Sequence, residues 1–334
     1  MKINQNARLS CAPMMDWTDR HCRFFHRVMS RQTRLYTEMV TAPALVRGGA
    51  HHLLDHDPAE HPLALQLGGS DPVELAEATA IAHRSGYSEV NLNVGCPSDR
   101  VQSACFGAIL MTLPRLVAEC TAAMIAAAPV HISVKCRIGV DDQDPAVALP
   151  DFLETVAASG VQRFIIHARK AWLQGLSPKE NRDIPPLDYD LVLAMKHRFP
   201  DLTIEINGGT TSLDQVQAHL DRGLDGVMIG RAAYHTPADI LLRADSRVFQ
   251  DCDPMPNPHA VARAMVPYIQ TQLSEGQRLH SITRHMLGLF AGRPGARAWR
   301  RMLSEGATRN GAGIEVLEAA LAAVPEEGSF AQSA

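Results

Sequence analysis

Short runs of β-branched and aliphatic residues alternate along the chain with longer stretches whose apolar positions recur at helical spacing. Eight strand-like runs stand out, at 9–14, 34–40, 62–69, 89–95, 131–139, 163–169, 202–208 and 226–232. Between them, "DPVELAEATAIAHRSG" at 71–86 opens on Asp-Pro and closes on glycine, and "SLDQVQAHLDRG" at 212–223 has the same form. "LPRLVAECTAAMIAAAP" at 113–129 and "DFLETVAASG" at 151–160 fill two further crossovers. Eight β-then-α units over about 240 residues predict a closed α/β fold, a (β/α)8 TIM barrel, rather than an open doubly wound sheet. After "DCDPMPNPHA" (251–260) the strand pattern stops, and 258 to about 323 reads as helices only, in four stretches at 258–276, 281–292, 295–307 and 314–324. The expected organisation is a barrel domain at 1–250, a small all-helical domain at 255–324 and a flexible tail at 325–334.

Composition narrows the class. The 334 residues are 46% hydrophobic and 20% charged, which excludes a disordered chain. No apolar run approaches a membrane span, and "MKINQNARLS" has no core for a signal peptide. Seven cysteines with no close CxxC pair favour reduced thiols in a cytoplasm over a disulfide framework or a zinc knuckle. His51, His52, His56 and His61 follow no ligand spacing and read as a polar loop, so no metal is expected. The formal net charge of −4 suggests no anionic partner until it is mapped. Residues 1–254 carry a net −6 and residues 255–334 a net +2, and between Gly276 and Leu303 lie six arginines, two histidines and no acid. A helical module with that balance can follow a phosphate backbone.

In a barrel the chemistry sits at the carboxyl ends of the strands. The last two ends, "INGGTTS" and "IGRAAY", offer Gly208, Gly209, Gly230 and Arg231, a backbone approach and a cationic fork suited to a phosphate. The first end supplies Ala12, Pro13, Met14 and Met15, soft groups that can lie against an aromatic ring. Gln66 presents an amide, Lys135 and Arg137 share one face of the fifth strand, and His167 and Arg169 end the sixth. A lysine among apolar strand residues calls for a counter-charge. Cys96 stands between Gly95 and Pro97, just past a strand. It is either a small residue beside a turn or an acid or nucleophile at the mouth of a site.

The segments "APMMDWTDRHCR", "ALQLGG", "NLNVGCPS", "VKCRIG", "HARKAWLQGLSPKENR", "INGG" and "IGRAAY", in this order, resemble the tRNA-dihydrouridine synthases from about residue 7 to 310. "SPKENRDIPPLDY" and "GLFAGRPGARAWRR" are similar to the A subfamily in particular. The resemblance implies an FMN-binding barrel followed by a helical domain that grips tRNA. It places FMN contacts on Pro13, Met14, Met15, Gln66, Lys135, His167, Asn207, Gly208, Gly209, Gly230 and Arg231. It places the proton donor on Cys96 and tRNA contacts on Asn93, Lys179, Arg182, Arg297 and Arg300. The implied reaction reduces uridines 20 and 20a of the D-loop, with a hydride from flavin N5 to uracil C6 and a proton from Cys96 to C5. NADPH recharges the flavin, and with no Rossmann GxGxxG in the chain it is expected to visit the same cleft. A thiol is mostly protonated at neutral pH yet transfers its proton readily, which suits that task. Lys135 is read as stabilising the anionic reduced ring, while Cys105, Cys120 and Cys136 are read as buried and inert. A flipped base is implied, and the protein is expected to act as a monomer. Two alternatives remain: a free-pyrimidine flavin enzyme, which leaves the arginine-rich helices unexplained, and a non-catalytic RNA chaperone, which leaves Cys96 without a purpose.

Overall fold

The computed structural model describes residues 8–98 and 105–326, so the tail expected from 325 lies outside it beyond Glu326. The eight strands are β1 (Leu9–Cys11), β2 (Leu35–Thr41), β3 (Leu63–Gly68), β4 (Glu89–Val94), β5 (His131–Arg137), β6 (Arg163–His167), β7 (Thr203–Asn207) and β8 (Gly226–Ile229). All pair in parallel, in the order β1-β8-β7-β6-β5-β4-β3-β2. A bridge from Ser10 to Arg34, with Cys11 N donating to Arg34 O at 2.9 Å and Arg34 N to Leu9 O at 3.1 Å, closes β1 against β2. The sheet is a (β/α)8 barrel, as the alternating pattern predicts.

The strands end where their turn residues begin, a residue or more short of the sequence pattern at their carboxyl ends except in β2. Arg231 and Ala232, placed in a strand by their apolar neighbours, open a short helix after Gly230. The crossover helix expected from 151 starts at Pro145, because Asp144 caps it by accepting from Ala146 N at 3.0 Å. Pro150 sits inside that helix and hides its first turn from a reading that treats proline as a breaker. Asp71 caps helix Pro72–Arg84 the same way. Beyond β8 the described residues form helices and turns with no further strand. The helix expected at 281–292 is regular only over Leu279–Thr283 and continues as successive turns. There the backbone at Gly288 runs so close to His235 O that a Cβ would sit 2.4 Å away.

Strand residues alternate between two burials. Ile132, Val134 and Cys136 of β5 point outward into one continuous apolar core, which the crossover helices share with Phe290, Trp299 and Leu303 of the C-terminal helices. The inward residues are unusually polar. At the amino end of the barrel Glu89 accepts from Arg34 at 2.5 Å, Arg163 at 3.1 Å, Ser133 at 2.8 Å and Tyr36 at 3.2 Å. Arg163 also binds Glu205, which accepts from Ser10 at 3.1 Å. An apolar plug of Ala12, Tyr36, Ala64, Ile165 and Met228 lies among these inward residues, with Met14 packed against it.

Burial alone would raise the Glu89 pKa, but Arg163 and Arg34 outweigh it and bring the carboxyl down to about 2. A depressed carboxylate stabilises the fold above its unfolded value of 4.5 and loses that contribution as the pH falls toward 2. Glu89→Ala is expected to cost about 3–5 kcal/mol at pH 7 by leaving two buried guanidiniums short of charge. Urea unfolding of both proteins checks it, and the gap between them should narrow below pH 4.5.

Candidate active site

The carboxyl ends of the strands open into a cavity of about 500 Å³, within the range of cofactor sites. Pro13, Met14, Met15, Gln66, Lys135, His167, Asn207, Gly208, Gly209, Gly230 and Arg231 all line it, together with Asn93, Cys96 and Arg182. Lys179 lies outside it, exposed beside the lining residue Pro178. Arg297 and Arg300 are exposed on helix Ala296–Gly306, away from the cavity.

The chain around Cys96 is held from three directions. Asn93 Oδ1 accepts both Gly95 N and Cys96 N at 3.0 Å. Arg137 donates to Gly95 O at 3.0 Å and reaches on to Lys170 O and Asn181 O at 2.9 Å each. Ala108 N donates to Cys96 O at 2.8 Å. Asn93 is itself fixed, since its Nδ2 donates to Gln66 Oε1 at 2.9 Å while Gln66 Nε2 donates to Asn91 Oδ1 at 2.8 Å. Asn91 Nδ2 in turn donates to Ser133 Oγ at 2.9 Å, and Ser133 reaches Glu89. The inward face of β3, β4 and β5 thus carries an unbroken hydrogen-bonded ladder from the buried charges to the Cys96 turn. The half-buried thiol lies on the cavity wall, 3.5 Å from Ser98 Oγ.

Lys135, Arg137, Arg182 and Arg231 line the cavity, and among the described residues no Asp or Glu does. Lys135 has no hydrogen-bond or carboxylate partner among the described residues. Burial, with Arg137 beside it, pushes its pKa down to about 8. Burial and the same cations hold His167 well below its ordinary value, so its ring is neutral, and its Nδ1 is buried without a partner. Arg231 rests on Asp183 at 2.8 Å. On the β7 side, Gly208 and Gly209 take φ of +110° and +76°, and a Cβ on Gly209 would fall 2.4 Å from Tyr189 Oη. That hydroxyl donates to Gly208 O at 2.8 Å and fixes the turn. A cationic cavity with a glycine cradle at one end is built for an anionic ligand.

The sequence profile of the dihydrouridine synthase family matches residues 10–325. The chain belongs to the dihydrouridine synthase family. The tRNA-dihydrouridine(20/20a) synthase of Escherichia coli K12 is 55% identical over 326 residues, covering 97% of this chain and 94% of its own. Those of Shewanella oneidensis and Vibrio cholerae are 56% and 54% identical, over 96% and 97% of this chain and 95% and 98% of their own.

Several features of this dihydrouridine synthase fold escape a reading of the sequence. Arg137 shares a strand face with Lys135, but its grip on the Cys96 turn depends on loops folded from elsewhere. Trp17 lines the cavity and stacks on Tyr234, ring centroids 4.5 Å apart at 11°. Asp19 caps helix Arg20–Met29 with one oxygen and with the other accepts from Arg284 at 2.7 Å and His285 at 2.9 Å, tying the barrel to the helical region. Burial would raise the Asp19 pKa, but the bonds from His285, Cys22 N and Arg284 hold it well below the carboxylate range. Cys120 and Cys136 are buried, with burial pushing both thiols up to about 12. Cys105 corrects the expectation, being exposed in a turn with φ of +56°. Among the described residues no three His, Cys, Asp or Glu side chains gather where an ion could sit, and no helix is long and apolar enough to cross a membrane.

The Lys135 ammonium is charged below pH 8 and neutral above it, so affinity for an anionic ligand should weaken as the pH rises through that value. In a Cys96→Ala background, binding of FMN, used as an anionic probe, is expected to decline above pH 8. Lys135→Met should bind about tenfold more weakly at pH 7 and show no such inflection. Fluorescence titration across pH 6–9 checks both, and a flat profile in the Cys96→Ala protein contradicts the assignment.

Proposed function

We propose that this chain reduces the C5–C6 double bond of uridines in tRNA to give 5,6-dihydrouridine, with FMN in the cavity and NADPH as reductant. The observation that carries the reading is Cys96, a thiol fixed on the wall of a cationic cavity in a chain of this family. The relatives named for positions 20 and 20a, at more than half identity over nearly the whole chain, support those two D-loop uridines as targets.

The residues fit FMN. Gly208, Gly209, Gly230 and Arg231 form a phosphate cradle, Pro13, Met14 and Met15 a soft wall for a ring, and Lys135 a charge with no counter-ion among the described residues. Gln66, His167 and Asn207 add polar edges. When bound, FMN supplies the hydride for uracil C6, drawn in turn from NADPH. Lys135 stabilises negative charge at the cavity floor. Asn93 keeps one amide N–H beyond the ladder, free to orient a base, and Gln66 keeps one for the flavin edge. Cys96 Sγ gives its proton to C5 as the anion builds there, and the thiolate left behind regains a proton from solvent water.

The barrel at 1–250 is the catalytic body and the helices at 255–324 the tRNA grip. Lys179 and Arg182 hold RNA at the barrel rim, while Arg297 and Arg300 hold it on the helical face. The uridine leaves its stack to reach Cys96, at a cost of a few kcal/mol that these contacts offset. The enzyme acts as a cytoplasmic monomer.

Purified protein, NADPH and unmodified tRNA, with dihydrouridine mapped by position, test the reading. Wild type is expected to modify 20 and 20a, and Cys96→Ala to lose about 10²–10⁴-fold in rate while still oxidising NADPH. A yellow protein that oxidises NADPH and leaves tRNA untouched would favour a free-pyrimidine substrate. A colourless protein that binds tRNA would end the enzyme reading.

A further inference from the structure

A second groove, of about 560 Å³, lies in the helical region between Gln277–Ser281 and Ala307–Gly313, away from the active-site cavity. Its lining includes Arg278, His280 and Arg309, the polar side chains of Gln277, Thr308 and Asn310, and, among the described residues, no carboxylate. We propose that this groove seats a stretch of RNA phosphodiester backbone, with Arg278 and Arg309 as its cations; the proposal rests on the tRNA reading above.

Three observations carry it. First, the arginines here are unengaged. Elsewhere on the C-terminal half several exposed or half-exposed arginines close onto carboxylates, Arg243 on Asp253, Arg247 on Asp214, Arg263 on Glu326 and Arg293 on Asp239, whereas Arg297, Arg300 and Arg301 pair with no acid among the described residues. Arg278 and Arg309 are exposed and pair with no acid among the described residues. The neighbouring carboxylate, Glu315, is held on Gly313 N at 2.8 Å.

Second, the groove continues the surface already assigned to RNA. Helix Ala296–Gly306 buries Ala296, Trp299 and Leu303 and exposes Arg297, Arg300 and Arg301 on the opposite side. Its carboxyl end runs into Ala307 at the groove wall. From Arg300 to the helix end at Gly306 is roughly 9 Å at helical rise, and Arg309 follows three residues on. The other wall starts helix Leu279–Thr283, which leads at once to Arg284 and its bond to Asp19 on the barrel.

Third, the chemistry suits a polyanion. The cations sit on opposite walls, and amide and hydroxyl donors lie among them for phosphate and ribose oxygens. Guanidiniums fork onto phosphate where a single ammonium would give one point contact.

The test uses the full-length holoenzyme, unmodified tRNA and filter binding over a salt series. Arg278→Ala/Arg309→Ala should bind tRNA about tenfold more weakly, and its log affinity against log salt should flatten by about 1.5, two phosphate contacts' worth. Its melting temperature, NADPH oxidation and turnover at saturating tRNA should match wild type. The lysine pair Arg278→Lys/Arg309→Lys should recover most of the slope. Arg84→Ala/Arg115→Ala, with the same change in net charge on remote exposed helix positions, should bind like wild type. Unchanged affinity and slope in the groove variant, or an equal loss in the remote pair, overturns the groove while leaving tRNA reduction intact. Wild type that binds no tRNA overturns both readings.

Discussion

Glu89 lies inside a closed barrel, where its charge has to be matched by side chains from other strands, and much of the interior is arranged around that requirement. Arg34 comes from the approach to β2, Arg163 from β6, and Glu205 from β7 completes the set. An ion cluster of this kind is weak evidence of stability in itself, since apolar groups of the same volume can hold a core as well. Its value here is positional. It anchors a row of amides that climbs the wall formed by β3, β4 and β5 to the turn carrying Cys96.

The barrel was legible because its outward strand faces are apolar and its crossovers carry strong start signals, as at Asp71-Pro72. The inward faces explain where legibility stopped. Glu89, Asn91 and Asn93 alternate with Val90, Leu92 and Val94, a period that marks a strand but does not say that its polar side faces inward. The cavity residues were found because they lie in the carboxyl-terminal part of a strand or just past it, and the family motifs gave them roles. Arg137 was seen only as sharing a strand face with Lys135, and Asp19 and Trp17 only as parts of motifs. Their partners lie tens to hundreds of residues away, at Asn181, His285 and Tyr234, and no local pattern encodes such distances.

The same limit applies to the helical region. Its arginine-rich composition was plain, yet composition does not separate a guanidinium closed onto a carboxylate from one left open. Folding makes that division: Arg293 rests on Asp239, while Arg297, Arg300 and Arg301 face outward from a helix anchored by Trp299. Trp299 is pinned by its indole N–H to Met286 O at 2.9 Å, close to the residues that meet Asp19. The orientation of the arginine face relative to the cavity is therefore set by buried contacts rather than by a linker.

Every donor in the ladder beneath Cys96 points the same way, toward Glu89: Cys96 N to Asn93, Asn93 to Gln66, Gln66 to Asn91, Asn91 to Ser133, Ser133 to the carboxylate. A carboxylate can only accept and a peptide N–H can only donate, so the row has no reversed alternative. Three amides that could each sit in either of two flipped states are thereby reduced to one, without a single apolar contact having to enforce it. The orientation around the thiol is written at the far end of the barrel, and a like-sized residue that lost this polarity at any rung, such as a leucine for Asn91, would leave the shape of the cavity nearly intact while erasing its sense of direction.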